Sequence, residues 1–243
     1  MNLYHKIILS GAAALLSLHA LAAEPIRAAL DPTYPPMEYM QDGQRTGFDI
    51  DLAKALQQKM GREIVYTDMD FKAMIPSIIA GRQDIVLSAI YITPARKKVV
   101  DFTNSYFSAG LVALVRKDSD IHKLSDLNDK TVAVQVGTKS VAYLREHFPK
   151  IKRMEVETNE SMFNALASKR AAAVITGRPA ALLYAKKTGH SRVLDEMVSH
   201  EEYGIVVSKK EPELTAALNK ALDELKADGT YSKIVAKWFG SDK

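Results

Sequence analysis

The chain has 243 residues, no cysteine and a formal net charge of +4, with 47% hydrophobic and 26% charged residues. This is globular composition, long enough for one large domain or two ordinary lobes, and it lies outside the disordered regime. Without cysteine there is no disulfide framework, no thiolate metal site, no cysteine nucleophile and no lipid-modified cysteine.

At the N-terminus, His5 and Lys6 precede an apolar run from Ile7 to Leu21, and Ala20-Leu21-Ala22 supplies a small–x–small cleavage pattern. The run is about 15 residues, against the ~20 a membrane-spanning helix needs. The expectation is a signal peptide over 1–22, cleaved after Ala22, and export of a soluble chain that is not a lipoprotein.

The remainder alternates short apolar strands with amphipathic helices. Ile26 to Leu30 reads as a strand ended by Asp31-Pro32 and Pro35-Pro36. Phe48 to Met60 reads as a helix with Asp49 as N-cap and Gly61 as its stop. Ile64 to Thr67 is a strand, Phe71 to Ala80 a helix, and Ile85 to Ala89 a strand. Leu111 to Arg116 is an apolar strand placed to cross between lobes. The pattern then restarts, with strands Thr131 to Val136, Ile151 to Val156 and Ala172 to Thr176 around helices Ser140 to Phe148 and Ser161 to Lys169. Tyr203 to Ser208 reads as a return strand. Glu211 to Phe239 reads as helix broken at Gly229, bringing the C-terminus back to the first lobe. Such βαβα alternation predicts mostly parallel sheets flanked by helices. Two connecting strands between two such units predict a hinge, with a ligand site at the interface. The predicted division is lobe 1 over 23–112 and 205–243, and lobe 2 over 113–204.

Enzyme signatures are missing. The sequence has no G-x-S-x-G, Walker A, G-x-G-x-x-G or H-E-x-x-H pattern. Its six histidines are scattered without ligand spacing, so no metal site or cofactor is predicted. Glu201-Glu202 reads as a solvated loop pair. The basic clusters at Arg96-Lys97-Lys98, Lys186-Lys187 and Lys209-Lys210 read as solvated surface, and no dense basic stripe marks a nucleic-acid face.

Several longer motifs carry a resemblance. They are Asp31-Pro32-Thr33-Tyr34-Pro35-Pro36-Met37-Glu38, Gly47-Phe48-Asp49-Ile50-Asp51-Leu52-Ala53, Ile92-Thr93-Pro94-Ala95-Arg96-Lys97-Lys98-Val99-Val100-Asp101-Phe102, Gly137-Thr138, and Ala227-Asp228-Gly229-Thr230-Tyr231 running into Lys237-Trp238-Phe239-Gly240. In this order the chain resembles the polar amino-acid-binding periplasmic proteins of ABC importers (solute-binding protein family 3), most of all the glutamine-binding and lysine/arginine/ornithine-binding branches. The resemblance implies a two-lobed type II periplasmic-binding fold, an α/β architecture. It also implies delivery of a small carboxylate-bearing ligand to an inner-membrane permease by a periplasmic receptor, with a monomer expected.

The resemblance assigns roles. Arg96 would clamp the ligand carboxylate bidentately, its alternative being a surface arginine near a helix start. Tyr34 and Phe71 would sandwich the aliphatic part, or else simply pack in a core. Ser88 and the backbone at Ala89 would hydrogen-bond the ligand. Thr138 and the following amides would form an anion site at a helix start. Asp31 would orient polar groups or cap the Pro32 turn.

Three positions depart from the family pattern. Gly177 stands where an ammonium-pairing Asp is usual, Tyr91 where a Thr or Ser is usual, and Lys139 where a small residue is usual. Together they remove an anion and add a cation around Arg96. A buried ammonium without a partner is costly. The prediction is therefore a ligand whose α-ammonium is absent, substituted or cyclised, or one with a second acid. The alternative is an ordinary amino acid in a rearranged site. Two other functions compete: a lyase on this scaffold resembling cyclohexadienyl dehydratase, and a soluble ligand sensor.

Overall fold

The computed structural model describes residues 24–240. The expected signal peptide lies outside the described residues. The chain opens with β1 (Ile26–Leu30), then a small antiparallel sheet of β2 (Thr33–Tyr34), β3 (Glu38–Gln41) and β4 (Gln44–Thr46). Next come α1 (Phe48–Met60), β5 (Ile64–Asp68), α2 (Phe71–Ile79), β6 (Ile85–Val86), the single-turn α3 (Pro94–Lys97) and β7 (Asp101–Phe102). β8 (Phe107–Arg116) leads into β9 (Thr131–Gln135), α4 (Lys139–His147), β10 (Lys152–Val156), α5 (Asn159–Ala167), β11 (Ala173–Gly177), α6 (Arg178–Thr188) and β12 (Ser191–Tyr203). β13 (Val206–Val207), α7 (Pro212–Ala227) and α8 (Thr230–Phe239) complete it.

Two five-stranded sheets form the two lobes. Their orders are β5-β1-β6-β13-β7 and β10-β9-β11-β8-β12. The orders correspond: each sheet has a parallel triplet, then an antiparallel strand that has just arrived from the other lobe, then an edge strand. β13 is the arriving strand in the first sheet and β8 in the second. β8 is hydrogen-bonded into the second sheet from Phe107 onward, so the crossing precedes this strand.

Alternation along the strands builds a core on both faces of each sheet. Ile26 and Ala28 of β1 pack with Phe48, Leu52 and Leu56 of α1, while Ala29 faces Met74 and Ile78 of α2. In the second sheet Val132 and Val134 cluster with Leu144 of α4, and Ala133 with Met162 and Leu166 of α5.

Asp49 does not cap α1. Gly47 is the N-cap, with φ 131. The Phe48 and Asp49 amides donate to Pro36 O and Met37 O of the preceding hairpin at 2.9 and 2.8 Å. With those donors satisfied by backbone, no side-chain cap is required, and the Asp49 carboxylate turns inward. A Cβ at position 47 would sit 2.6 Å from the Met37 carbonyl carbon, so this close entry excludes any other residue.

Two further expectations are corrected. α6 and most of β12 were not foreseen. Glu201 and Glu202 lie on β12 rather than in a loop. β12 alternates buried with polar residues and changes register between Val193, Met197 and Ser199, which hides the strand in the sequence. The C-terminus does return to the first lobe: Lys237 Nζ and Trp238 Nε1 of α8 donate to Asp51 Oδ2 of α1 at 2.6 and 2.8 Å.

Candidate functional site

A cavity of about 430 Å³, its mouth included, lies between the lobes. Eight of the ten residues singled out in the sequence line it: Asp31, Tyr34, Phe71, Ser88, Ala89, Tyr91, Thr138 and Gly177. Glu38, Gln135, Asn159, Thr176 and Tyr203 also line it and were not foreseen.

Arg96 adjoins this wall. Thr93 Oγ1 accepts the Arg96 amide at 3.2 Å and Pro94 occupies the first helical position, so the Thr-Pro pair builds the turn that presents Arg96. Its Nη1 donates to Tyr91 O at 2.9 Å and its Nη2 to Gly137 O, in the other lobe, at 3.3 Å. The guanidinium carbon stands 5.7 Å from the Phe71 ring centroid. Burial pulls the Arg96 pKa down to about 10, partly opposed by Tyr91, which leaves the group cationic at neutral pH. Among the described residues no carboxylate forms an ion pair with it.

Part of the cavity lining is phenolic. The Gly177 amide donates to Tyr34 Oη at 3.1 Å, and Tyr34 Oη lies 3.3 Å from Thr176 Oγ1. Tyr203 Oη donates to Tyr91 Oη at 3.3 Å. A Cβ on Gly177 would collide with the Tyr34 and Tyr203 hydroxyls and lie 3.2 Å from that of Tyr91. Hydroxyls thus occupy the space that a side chain at position 177 would need. Burial raises all three phenols, so they are neutral donors and acceptors.

Lys139 departs from expectation. It is not among the lining residues; its ammonium pairs with Glu201 of β12 and lies 5.3 Å from the Tyr143 ring centroid. Burial, and then the neighbouring Arg96 charge, lower the Lys139 pKa. Glu201 gives this cation a counter-charge within its own lobe. Thr138 occupies the N-cap position of α4 without a side-chain capping bond, and its hydroxyl donates to Gln135 O at 2.7 Å.

Polar groups also bridge the lobes. Asp31 Oδ1 accepts from Thr33 Oγ1 and Oδ2 from Gln135 Nε2, each at 2.6 Å. Asn159 Nδ2 donates to Gln135 Oε1 at 3.2 Å and Thr33 Oγ1 at 3.4 Å. Lys72 Nζ meets Glu157 Oε1 at 2.7 Å. Asp31 therefore orients a cross-lobe network.

Two buried carboxyls stand at this cavity, Glu38 among its lining residues and Asp49 outside them. Ser88 Oγ accepts the Asp31 amide at 3.1 Å and donates to Glu38 Oε1 at 2.6 Å. Asp49 Oδ2 accepts the Ala89 amide at 2.8 Å and the Tyr106 hydroxyl at 3.0 Å. Burial is the main cause that pushes both carboxyls up, Asp49 to about 7 and Glu38 well above the usual range, where Asp49 charge adds to it.

Residues 26–241 match the family described as bacterial extracellular solute-binding proteins, family 3. The chain belongs to this family. Among relatives of this solute-binding family, ABC transporter arginine-binding protein 1 of Escherichia coli (strain K12) is 33% identical over 240 residues, covering 96% of this chain and 98% of that protein. An ancestral arginine-binding protein bound to arginine superposes with a TM-score of 0.86 at 39% identity, over 90% of this chain and 100% of that one. The ancestral amino acid-binding protein AncCDT-1, a precursor of cyclohexadienyl dehydratase, gives 0.83 at 40% identity, over 88% and 95% of the two chains. No helix among the described residues is long and apolar enough to cross a membrane.

Proposed function

We propose that the protein is the periplasmic receptor of an ABC importer, exported by cleavage after Ala22 and acting as a monomer. Its two lobes close on an amino-acid-like carboxylate and present it to the permease. The relatives named for arginine binding support the ligand class. The observation that carries the reading is Arg96: a desolvated cation at the lobe interface, bonded to carbonyls of both lobes, with no carboxylate partner among the described residues. Such a group is stabilised by an incoming anion. The ligand carboxylate pairs with Arg96, Phe71 and Tyr34 cover its aliphatic part, and the free amides of α4 add donors. Ser88 acts through Glu38 and Asp31 rather than on the ligand. Ligand binding shifts the open–closed population by its differential affinity for the closed form.

At the amino end, Tyr34, Tyr91 and Tyr203 present neutral hydroxyls around Gly177, which has no side chain to pair with an ammonium. This arrangement favours a ligand whose α-ammonium is absent, substituted or cyclised. Pairing of Lys139 with Glu201 removes the argument for a second acid. Calorimetric titration with L-arginine, L-histidine, their N-acetyl forms and their des-amino analogues tests this. The expected result is tighter binding of the N-substituted or des-amino form. Tight binding only of the unmodified amino acids would leave the receptor reading standing and remove the amino-end reading.

A lyase is the second reading, favoured by one observation, the protonatable Glu38 in the cavity wall. Product formation on incubation with the ligand would support it.

A further inference from the structure

The Glu38 and Asp49 carboxyls have no part in the carboxylate clamp, and both are at most 1% exposed. Each has one oxygen already engaged: Glu38 Oε1 by Ser88, and Asp49 Oδ2 by Ala89 and Tyr106. Each leaves its other oxygen, Glu38 Oε2 and Asp49 Oδ1, buried without an ordinary partner. Adjacent residues bring the two side chains together, Ser88 holding Glu38 and Ala89 holding Asp49, and each carboxyl shifts the other. Two carboxylates can face each other this way only if a proton lies between them, because an ionised carboxylate has acceptors and no donor. Two bare charges in contact in a dry wall would repel strongly.

We propose that Glu38 and Asp49 form a one-proton site, in which protonated Glu38 Oε2 donates to Asp49 Oδ1 and thereby fixes the Ser88–Ala89 corner of the ligand cavity. The asymmetry follows from the partners. Asp49 accepts two further donors, which favours its anion, whereas Glu38 accepts one. Ala89 has φ 48, an uncommon conformation for a residue with a side chain, and the Asp49 carboxylate holds its amide there. The other groups facing the pair are Asp31 and Tyr34 on the β1–β2 side, Tyr106 ahead of β8 and Tyr231 of α8. Asp31 adds negative charge, the phenols are neutral, and neither carboxyl has an ion-pair partner among the described residues. No neighbouring cation therefore substitutes for the proton. A group with a raised folded-state pKa contributes stability at low pH and loses it as pH rises through that value. The corner is accordingly firm in acid and loosens from neutral to alkaline pH, whatever the ligand.

Carbon-13 NMR titration of the glutamate and aspartate carboxyls in the wild-type protein tests the site directly. One glutamate carboxyl should remain protonated to neutral pH and be missing from the Glu38→Gln spectrum. If every carboxyl titrates near its ordinary value of about 4, the proposal is wrong. Hydrogen exchange at the Ala89 amide, corrected for intrinsic pH dependence, supplies the second readout. Protection should fall about tenfold or more between pH 6 and 9 in the wild type, one pKa unit corresponding to tenfold. It should change less than about twofold in Glu38→Gln, whose amide reproduces the protonated donor permanently. An equal fall in both proteins would overturn the idea. If the variant does not fold, the wild-type titration decides alone.

Discussion

Arg96 is held by geometry that serves binding more than stability. Its donors meet only carbonyl oxygens and an aromatic face, so removal leaves no buried acid unpaired. Arg96→Ala should fold normally yet lose affinity for a carboxylate ligand by ~100-fold or more, the ~3 kcal/mol typical of a buried charged pair broken on one side. Titration calorimetry with a unfolding control separates the two effects. Gly177 acts by its lack of a side chain. Gly177→Ala should weaken closure of the lobes, because the added Cβ meets the Tyr34 and Tyr203 hydroxyls. An unchanged open–closed balance by small-angle scattering would show that those hydroxyls move aside at no cost.

At the level of elements, α1 organises the first lobe. Phe48 is fully buried and has the rings of Tyr106, Phe107, Tyr231 and Phe239 around it at centroid distances of 5.2 to 6.2 Å. Phe48→Ala should cost ~3–5 kcal/mol by denaturant unfolding. Lys237→Ala removes an exposed charge from the α8–α1 contact and should cost less than ~1 kcal/mol. Elements with strong periodicity were legible: β1 and α1 have the bounds that the apolar spacing predicts. α6 and β12 were not, because each is only partly buried and mixes charge into its pattern. Site legibility divides similarly. Residues in the first-lobe motifs were found with the help of the resemblance. Gln135 and Asn159 were missed because their role exists only when the lobes meet, which no local pattern encodes. Asp49 was misread as a cap because its real partners, Ala89 and Tyr106, are distant in sequence.

On the scale of the whole molecule, closure depends on a few polar contacts of unequal worth. Gln135→Ala would leave Asp31 Oδ2 without its 2.6 Å partner, a loss of ~1–3 kcal/mol for a buried acceptor. It should shift the molecule toward the open form and raise the dissociation constant about fivefold or more. Lys72→Ala breaks a bridge whose side chains are 47% and 56% exposed, and should change affinity little. The central claim is that a ligand anion bridges the lobes at Arg96. A crystal structure of the exported protein with the ligand that co-purifies with it tests this most directly. The account predicts closed lobes, a ligand carboxylate in a bidentate pair with the Arg96 guanidinium, and the opposite end of the ligand against the Tyr91, Tyr203 and Gly177 wall. A ligand bound with no anionic group at Arg96, or bound outside the interlobe cavity, would contradict it.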